Sequence, residues 1–317
     1  MSVMQQPLDF DRFLGSLFGL AVGDALGTAL EFKSPGTFEP IDDMVGGGPF
    51  RLKPGEWTDD TSMAMCLAES LLARQGFDEV DQMDRYRQWY RAGYWSCRDQ
   101  CFDIGNIVRG AVELYEETHN GFCGPTGERT AGNGSLMRLA PIPLYFARNP
   151  REAIQRARDS SRTTHGVEPC LDACRYYANL ILGALHGASK EAILSPSYEF
   201  LEGLWEQDPL CAPIAGIAGG SFKRKEPPEI KGSGYVVESL EAAIWAFHKS
   251  DNFRDGALLA VNLGDDADTT GAIYGQLAGA YYGYFEIPDE WTSRIAWGKQ
   301  IRRLTQHLYK AAIAREA

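Results

Sequence analysis

The sequence predicts an all-α protein, and three observations support that prediction. Apolar residues recur with the 3.6-residue period of a helix in most segments between the loops. Two segments carry a glycine at every fourth position, which places the glycines along one face of a helix. Runs of strand length that alternate apolar and polar residues do not recur along the chain.

The first predicted helix follows Asp11, a residue type that often caps helix N-termini. Its apolar positions follow the helical period, and they are Phe13, Leu14, Leu17, Phe18, Leu20 and Ala21. Thr58 is the predicted N-cap of a second helix that runs to Ala73. Asp59 and Asp60 would then lie in its first turn, where the helix dipole favours negative charge.

Eight further helices are predicted from the same period. They cover residues 80–92, 104–118, 150–161, 166–187, 236–249, 252–262, 269–284 and 290–314. Loops rich in glycine and proline lie at 33–56, 119–135 and 221–234. None of these loops marks a domain boundary, so we expect one domain over residues 1–317 with its core in residues 11–315.

The glycine ladders predict close helix packing. One consists of Gly15, Gly19, Gly23 and Gly27, and the other of Gly271, Gly275, Gly279 and Gly283. A glycine inside a helix costs about 1 kcal/mol relative to alanine, so two such ladders need a structural reason. A glycine face lets a second backbone approach closely. We expect both helices to be central and tightly packed, and each is a candidate partner for the other. The alternative is chance, in a chain with 34 glycines.

The charge balance argues against two classes of partner. The formal net charge is −12, from 43 acidic and 31 basic residues. Nucleic acids and anionic membranes bind to basic faces, and the only compact basic run, Lys223-Arg224-Lys225, is typical of a solvated loop. We therefore expect no nucleic-acid partner and no membrane partner.

Two apolar stretches resemble membrane helices only superficially. Phe13 to Leu30 is interrupted by Asp24, and Thr269 to Phe285 is shorter than the ~20 residues that a bilayer requires. Both are interpreted as buried core helices. The amino end has no basic segment followed by an apolar run, so we do not expect a secretory signal. We expect a cytoplasmic location.

Seven cysteines form no dense disulfide framework. Cys97 and Cys101 are spaced by four, as are Cys170 and Cys174, rather than as the CxxC of many zinc sites. We expect reduced and mostly packed thiols, with a zinc site as the less favoured alternative.

Two acidic clusters are the main candidates for chemistry, and they are Trp57-Thr58-Asp59-Asp60-Thr61 and Gly264-Asp265-Asp266-Ala267-Asp268-Thr269. Each sets closely spaced carboxylates and a hydroxyl at a predicted helix start, where the charge is tolerable only with a cation or full solvation. Oxygen ligands without histidine or cysteine suit Mg²⁺, Mn²⁺ or Ca²⁺ rather than zinc. If Asp268 bridges, two ions about 3.5–4 Å apart could hold one substrate group.

Other interpretations of these clusters remain. An EF-hand loop beginning at Asp266 would place Gly271 correctly, but it would put Leu277 where a bidentate glutamate is required, so it is excluded. Helix capping by Thr58 and Thr269 explains either cluster alone. Solvated surface charge is the commonest fate of aspartate.

Asp24 and Glu31 extend the acidic set. Asp24 lies in an apolar helix and needs a partner there. A carboxylate that accepts hydrogen bonds from backbone amides is at least as good an explanation for it as a ligand. Glu31 follows one turn beyond Gly27 and could reach a metal.

A short turn and a histidine are candidates for ligand contacts. The turn Gly132-Asn133-Gly134-Ser135 can expose backbone N–H groups and a hydroxyl to an anion, although an ordinary turn before a helix explains it equally. His165 lies among hydroxyl residues between two predicted helices, which suits a polyhydroxyl ligand; a capping or core role is the alternative. The chain has no P-loop lysine signature, no dinucleotide-binding glycine motif and no persuasive nucleophilic triad.

Taken together, these segments resemble the ADP-ribosylglycohydrolase family over roughly residues 11 to 284. The resemblance rests on motifs in the family's order: Gly23-Asp24-Ala25-Leu26-Gly27 with Glu31, the Trp57–Thr61 cluster, Cys101-Phe102-Asp103-Ile104-Gly105-Asn106, Gly132-Asn133-Gly134-Ser135-Leu136-Met137-Arg138, Thr164-His165-Gly166, Gly234-Tyr235 and the Gly264–Thr269 cluster. Any one of these motifs is weak evidence, but in this order they are strong.

The resemblance implies a single-domain orthogonal helical bundle with two divalent ions, Mg²⁺ or Mn²⁺, in a cleft. The implied ligands of one ion are Thr58, Asp59, Asp60 and Asp268. The implied ligands or nearest neighbours of the other are Glu31, Asp266, Asp268 and Thr269. The implied contacts to the phosphates and ribose of ADP-ribose are Gly132, Asn133, Gly134, Ser135 and His165. Asp265 is expected beside this set rather than in it.

The 102–106 motif is similar to that of the arginine-directed bacterial branch, which includes the dinitrogenase-reductase-activating glycohydrolase. This similarity implies an enzyme that releases ADP-ribose from ADP-ribosylated arginine side chains of a protein. Separately, we expect the protein to be a monomer. Asp103, Glu31 and Asp268 are the implied catalytic residues, and Tyr235 would line the channel for the modified arginine. Two alternatives are hydrolysis of another linkage, to serine or to O-acetyl-ADP-ribose, and a non-catalytic ligand-binding protein like the family's lens crystallins.

Overall fold

Helices make up the architecture that the computed structural model describes, which covers residues 7–315 and contains no strand within that range. The longer helices are α1 (Phe10–Gly27), α2 (Asp59–Arg74), α3 (Glu79–Ala92), α4 (Asn106–Thr118), α6 (Pro150–Arg162), α7 (Glu168–Leu185), α11 (Val236–Lys249), α12 (Phe253–Val261), α13 (Ala267–Tyr282) and α15 (Gly298–Ala314). The shorter ones are α5 (Pro141–Tyr145), α8 (Lys190–Ile193), α9 (Leu204–Gln207), α10 (Ala212–Ala218) and α14 (Asp289–Thr292). The all-α prediction is confirmed. The ends of the predicted domain, 1–317, lie outside the described residues.

The N-terminus of α1 differs from the prediction, because Asp9 rather than Asp11 caps it. The Asp9 side chain accepts a hydrogen bond from the Asp11 backbone N–H at 2.9 Å. Asp11 lies in the first turn of the helix, and its carboxylate accepts from the backbone N–H of Tyr284 at 3.2 Å. The prediction of Asp11 as the cap was therefore wrong, since both residues are good capping types and only the fold decides between them.

The predicted helix over 290–314 is interrupted. It is divided into α14 and α15, and Trp297 stands before α15 with a φ of 56°. The segment between them docks onto another loop, where Ala296 donates its backbone N–H to the carbonyl of Gly55 and accepts from the indole of Trp57. These tertiary contacts override the helical period of the local sequence.

Helices α5, α8, α9 and α10 were not predicted. They contain between 4 and 7 residues. Segments this short complete too few turns to display an apolar face with helical periodicity, so the sequence signal that identifies the longer helices is absent.

The two glycine ladders pack against each other and form the centre of the molecule. Helices α1 and α13 run antiparallel, so that Gly15 meets Gly279, Gly19 meets Gly275 and Gly23 meets Gly271. A Cβ atom added at any of these positions would overlap the backbone carbonyl of its opposite number. We call this contact the glycine seam. Its existence confirms the predicted close packing and provides the reason for glycine within both helices.

One continuous cluster of buried apolar side chains surrounds the glycine seam and extends into the helices packed around it. Arg12 ties the seam to α7, because its guanidinium donates to the carbonyls of Ala184 in α7 and of Tyr281 in α13, both at 2.8 Å. Among residues 7–315, no helix has the length and apolar character needed to cross a bilayer.

All seven cysteines are free thiols, and four of them are buried. Burial raises the pKa of the thiols of Cys101 and Cys174 to about 11. The described part of the chain contains no group of cysteine and histidine ligand atoms close enough to hold a metal. This arrangement agrees with the prediction of reduced and mostly packed thiols.

Candidate metal centre and active site

Asp24 anchors the start of α2 against α1. It is fully buried in α1, and its carboxylate accepts hydrogen bonds from the backbone N–H groups of Thr58 at 2.9 Å and Thr61 at 3.1 Å. Burial raises its pKa to about 6, although the hydrogen bonds from Thr61 and Thr58 oppose that shift. Of the two explanations that the sequence left open for Asp24, bonding to backbone amides is the one observed. This carboxylate fixes where the first acidic cluster lies.

The hydroxyl of Thr58 faces three carboxylates. Thr58 occupies the N-cap position of α2, as predicted, yet its side chain makes no capping hydrogen bond. Instead its Oγ1 lies 3.0 Å from Asp24 Oδ1, 3.2 Å from Asp60 Oδ2 and 3.3 Å from Asp268 Oδ2. A hydroxyl has one hydrogen to donate, so it can satisfy only one of these acceptors at a time. Helix capping is therefore not what this side chain does.

The two acidic clusters converge. Asp60 stands in the first turn of α2 and Asp268 in the first turn of α13, and both are buried. The hydroxyl of Thr269 bridges the two helix starts by donating to Asp60 Oδ2 at 3.4 Å. The buried carboxylate of Asp59 completes the α2 side. These contacts rule out the interpretation of both clusters as solvated surface charge.

Glu31, Asp103 and Asp268 form a group of carboxylates that lines the cavity. Glu31 follows the end of α1 and is buried, and Asp103 is half-buried in the loop before α4. One carboxylate oxygen from each of the three lies within 4.8 Å of the others. Such a group of hard oxygen atoms is the ligand type that Mg²⁺ and Mn²⁺ prefer. Sequence reasoning assigned Asp103 a catalytic role alone, whereas its oxygen stands among the possible ligands.

The acidic residues lack counter-charges within residues 7–315, and the charges of neighbouring carboxylates raise the pKa values of several of them. Burial, followed by the charge of Asp103, raises the pKa of Glu31 to about 10. Burial, followed by the charge of Asp266, raises the pKa of Asp103 to about 7. Burial also raises the pKa values of Asp60 and Asp268 well above the ordinary range. Among residues 7–315, no arginine or lysine forms an ion pair with any of them.

Three buried carboxylate oxygens have no hydrogen-bond partner among the described residues, and they are Glu31 Oε2, Asp60 Oδ1 and Asp268 Oδ1. Buried polar atoms are nearly always satisfied, so three unsatisfied atoms in one cluster need an explanation. Divalent cations would supply the missing partner and remove the repulsion between the carboxylates. The residues therefore fit a site for hard divalent cations.

A cavity of about 380 Å³ opens onto this cluster. Part of its lining consists of five carboxylate residues and one hydroxyl residue, and they are Glu31, Asp59, Asp103, Asp266, Asp268 and Thr269. The remaining lining residues are Phe32, Gly105, Asn106, Ile107, Val108, Gly132, Asn133, Gly134, Met137, His165 and Gly234. Its volume lies within the range of small-molecule binding sites, about 300–1,000 Å³.

The predicted glycine turn forms another part of the cavity lining. Gly132 and Gly134 line the cavity, and the side-chain amide of Asn133 donates to Asp266 Oδ2 at 2.7 Å. The backbone of Tyr235 pairs with Gly132 of the turn in an isolated antiparallel bridge. His165 is buried directly beneath the two glycines, because a Cβ at Gly134 would lie only 2.9 Å from its Cε1.

Two of the predicted ligand contacts lie away from the cavity lining. Ser135 is buried, and its hydroxyl accepts from Ser161 Oγ at 2.8 Å. Tyr235 is 41% exposed on the outer side of the bridge with Gly132. Asp265, expected beside the set, is exposed, and its backbone bonds Phe32 and Lys33.

Sequence reasoning missed several residues of the site. Phe32 lies beside Glu31 with a φ of 59° and a side chain that is 68% exposed, and a single exposed aromatic residue gives no sequence signal. Ile107 and Val108 belong to the apolar face of α4, so their helical spacing suggested only packing. Arg138 and Thr164 belong to two of the family motifs, but nothing in their sequence spacing indicated which residues they would contact.

The fold and the site define a class of protein: an all-α molecule in which two helix starts bring a cluster of buried carboxylates to the edge of a ligand-sized cavity. The model of the ADP-ribosylglycohydrolase family matches residues 5–317. The chain belongs to the ADP-ribosylglycohydrolase family. The resemblance drawn from the sequence motifs is thereby confirmed.

Relatives and a solved structure extend this result. The chain is 43% identical to a Pseudomonas putida (strain GB-1) protein named ADP-ribosylarginine hydrolase Tri1, over 95% of this chain and 79% of that protein. It is 32% identical to the ADP-ribosyl-[dinitrogen reductase] glycohydrolase of Rhodospirillum rubrum, over 98% and 99%. A solved structure described as an ADP-ribosylglycohydrolase-related protein complex superposes with a TM-score of 0.84 at 46% identity, covering 96% of this chain and 98% of that one. The predicted fold type is confirmed.

Proposed function

We propose that this protein hydrolyses the N-glycosidic bond between ADP-ribose and an arginine side chain, releasing ADP-ribose and an unmodified arginine. One observation carries the proposal: a cluster of buried carboxylates without counter-charges opens onto a ligand-sized cavity that is also lined by a glycine turn and a histidine. The arginine linkage is supported by the Pseudomonas putida relative, which is named an ADP-ribosylarginine hydrolase.

We assign the acidic cluster to two divalent ions, Mg²⁺ or Mn²⁺. The residues that would hold one of them are Thr58, Asp59, Asp60 and Asp268. The residues that would hold the other are Glu31, Asp266, Asp268 and Thr269. When bound there, such ions would fix the ribose hydroxyls and lower the pKa of a bound water. The three buried oxygens without partners support this assignment.

The glycine turn and His165 would bind the rest of the ligand. Gly132 and Gly134 bring backbone close to the cavity because they have no side chains, and a diphosphate needs such close approach. Asn133 connects the glycine turn to Asp266 and would hold the turn and the acidic cluster in a fixed relative position. His165 would donate to a phosphate or ribose oxygen. Ser135 would support the conformation of the turn through its hydrogen bond with Ser161. Tyr235, whose backbone pairs with Gly132, would lie near the modified arginine.

Asp103 is our candidate for proton transfer. Its side chain lines the cavity, and one of its oxygens stands beside those of Glu31 and Asp268. In the reaction, the bond from the anomeric carbon to the guanidine nitrogen breaks, a water oxygen bonds to that carbon, and the leaving nitrogen gains a proton. The carboxylate of Asp103 would accept the proton that the water loses. Glu31 is the second candidate for this step.

The partner implied by this activity is a protein that carries ADP-ribose on an arginine. The chain's net charge of −12 supports the absence of a nucleic-acid partner. We further propose that the enzyme acts as a monomer in the cytoplasm.

Release of ADP-ribose from defined peptides tests the proposal. Peptides modified on arginine and on serine are incubated with the protein, with Mg²⁺, with Mn²⁺ and with a chelator, and free ADP-ribose is measured. We expect metal-dependent release from the arginine peptide, and its loss in Asp268→Ala. Release from the serine peptide alone would support hydrolysis of another linkage. Binding of neither metal nor ADP-ribose would support a non-catalytic protein and overturn the proposal.

A further inference from the structure

Arg138 is a fully buried cation whose partners within residues 7–315 are all neutral. Its Nη1 donates to the carbonyl of Gly134 at 2.6 Å, and its Nη2 donates to Thr164 Oγ1 at 2.8 Å. The guanidinium also stacks over the ring of Tyr86, 4.7 Å from the centroid. Burial of a cation without a counter-charge costs free energy unless its N–H groups find acceptors. The acceptors of Arg138 must therefore direct their lone pairs toward it.

The hydroxyl of Thr164 links Arg138 to His165. Oγ1 of Thr164 accepts from Arg138 and lies 2.8 Å from His165 Nδ1. Arginine is only a donor, so it occupies a lone pair of the hydroxyl and leaves the hydroxyl hydrogen free. Among the described residues, His165 Nδ1 is the one acceptor within reach of that hydrogen. The Thr164 hydroxyl therefore donates to Nδ1.

The direction of this hydrogen bond determines the tautomer of His165. A ring nitrogen that accepts a hydrogen bond carries no hydrogen in a neutral imidazole, so the hydrogen is on Nε2. Burial and the charge of Arg138 lower the pKa of His165 to about 3, which keeps the ring neutral throughout the physiological range. His165 is thus a neutral donor through Nε2 and not a cation.

The Nε2 edge of the His165 ring lies beside Gly132 and Gly134, which line the ligand cavity. His165 lines the cavity, and a Cβ added to Gly132 would lie 3.2 Å from Nε2. Nε2 makes no hydrogen bond with another atom of residues 7–315, in contrast to Nδ1. Its N–H is therefore available to a ligand.

We propose that Arg138 and Thr164 are positioning residues that hold the hydrogen of His165 on Nε2, so that the cavity always offers a neutral N–H donor to an acceptor oxygen. For the identity of that oxygen, a phosphate or ribose oxygen of ADP-ribose, the inference rests on the proposed function. The tautomer itself is a property of the protein before any ligand binds.

Nitrogen-15 NMR of protein labelled in its histidines tests the tautomer without reference to activity. The His165 signals are assigned by their disappearance in His165→Gln. We expect Nε2 to carry the hydrogen in the wild type and in Thr164→Ser, which retains the hydroxyl. Thr164→Val should shift the ring toward hydrogen on Nδ1. Thr163→Val is the matched control, because Thr163 contacts Arg138 and Gln82 but not the ring, and it should leave the tautomer unchanged.

Calorimetric titration of ADP-ribose into the Mg²⁺-loaded protein tests the consequence. Thr164→Val should weaken binding about tenfold, the scale of one hydrogen bond, and Thr164→Ser should restore it. A wild-type spectrum with the hydrogen on Nδ1 would overturn the inference, as would a Thr164→Val variant that keeps both tautomer and affinity. If Thr164→Val does not fold, the wild-type spectrum still decides. A protein with the expected tautomer but no hydrolysis of arginine-linked ADP-ribose would contradict the proposed function alone.

Discussion

The side-chain amide of Asn133 donates to Asp266 Oδ2 at 2.7 Å, and this one bond connects the glycine turn to the acidic cluster. Both residues line the ligand cavity. A bound cation and a bound ligand would consequently affect each other through this contact, because the carboxylate orients the turn and the amide orients the carboxylate.

Asn133→Ala should weaken metal binding although Asn133 is not among the proposed ligands. Loss of a hydrogen bond that orients a ligating carboxylate typically costs about 10- to 100-fold in metal affinity. Calorimetric titration with Mg²⁺ and with Mn²⁺ measures the effect. Asn106→Ala is a suitable control, since Asn106 also lines the cavity and is exposed. Equal metal affinity in Asn133→Ala and the wild type would show that this bond does not orient Asp266.

Asp60→Asn should stabilise the metal-free protein at neutral pH. The pKa of Asp60 is raised by burial and by Asp24, so the charged carboxylate disfavours the folded state. The stability that a raised carboxyl pKa contributes is present below the unfolded pKa and is lost as pH rises through the folded value. We expect the melting temperature without metal at pH 7.5 to rise by about 2–4 °C, roughly 1 kcal/mol in a chain of this size.

Calorimetry with and without Mg²⁺ separates this effect from a general change in net charge. The wild type should gain stability from Mg²⁺, and Asp60→Asn should lose most of that gain. Asp251→Asn removes the same charge from an exposed position and should change neither melting temperature by more than about 1 °C. A lower melting temperature of metal-free Asp60→Asn would contradict the repulsion between the carboxylates.

Wild type and His165→Gln should differ in the pH dependence of their stability. His165 has a folded pKa of about 3, depressed by burial, against about 6.5 in the unfolded chain. A depressed histidine pKa means that the unfolded state alone binds the proton, so stability is lost as pH falls below about 6.5. Between pH 7.5 and pH 5.0 this loss is about 2 kcal/mol.

Urea denaturation at both pH values, compared between the two proteins, measures this difference directly. The carboxylates titrate in both proteins, so their contribution cancels in the comparison. His165→Gln should lose about 2 kcal/mol less than the wild type on acidification. Parallel changes in the two proteins would indicate that His165 takes up a proton in the fold.

Gly275→Ala should strongly destabilise the protein. A Cβ at this position overlaps the carbonyl of Gly19 across the glycine seam, and backbone cannot move aside as a flexible side chain can. We expect a loss of about 3 kcal/mol or more in the free energy of unfolding, measured by urea denaturation. Gly110→Ala is the matched control: it lies inside α4, and a Cβ there meets no atom within 4 Å. It should be neutral or stabilise by up to about 1 kcal/mol.

Long amphipathic helices and residue types with one dominant use were predictable from the sequence. The spacing of glycines such as Gly19 and Gly275 identified the seam because little else explains glycine in a helix interior. Acidic pairs at helix starts, such as Asp59 and Asp60, indicated the cluster because closely spaced carboxylates need a cation or full solvation.

Features that depend on distant partners were not predictable. Choosing between Asp9 and Asp11 as the cap of α1 required knowing that Tyr284 lies beside Asp11. The break before α15 follows from the docking of the loop at Gly55. Ser135 differs from its neighbours in the glycine turn because Ser161, from another helix, binds its hydroxyl. In each case the deciding contact joins residues that sequence spacing does not relate.

The glycine seam limits how far the carboxylates of the acidic cluster can move apart under their mutual repulsion. Glu31 follows α1 and Asp268 opens α13, so the separation of these carboxylates depends on the contact between the two backbones. In a seam without side chains, no rotamer can change to let the helices drift apart when like charges repel. The geometry of the proposed ligands would thus be preorganised before an ion arrives, and the free energy of ion binding would not be spent on assembling the site.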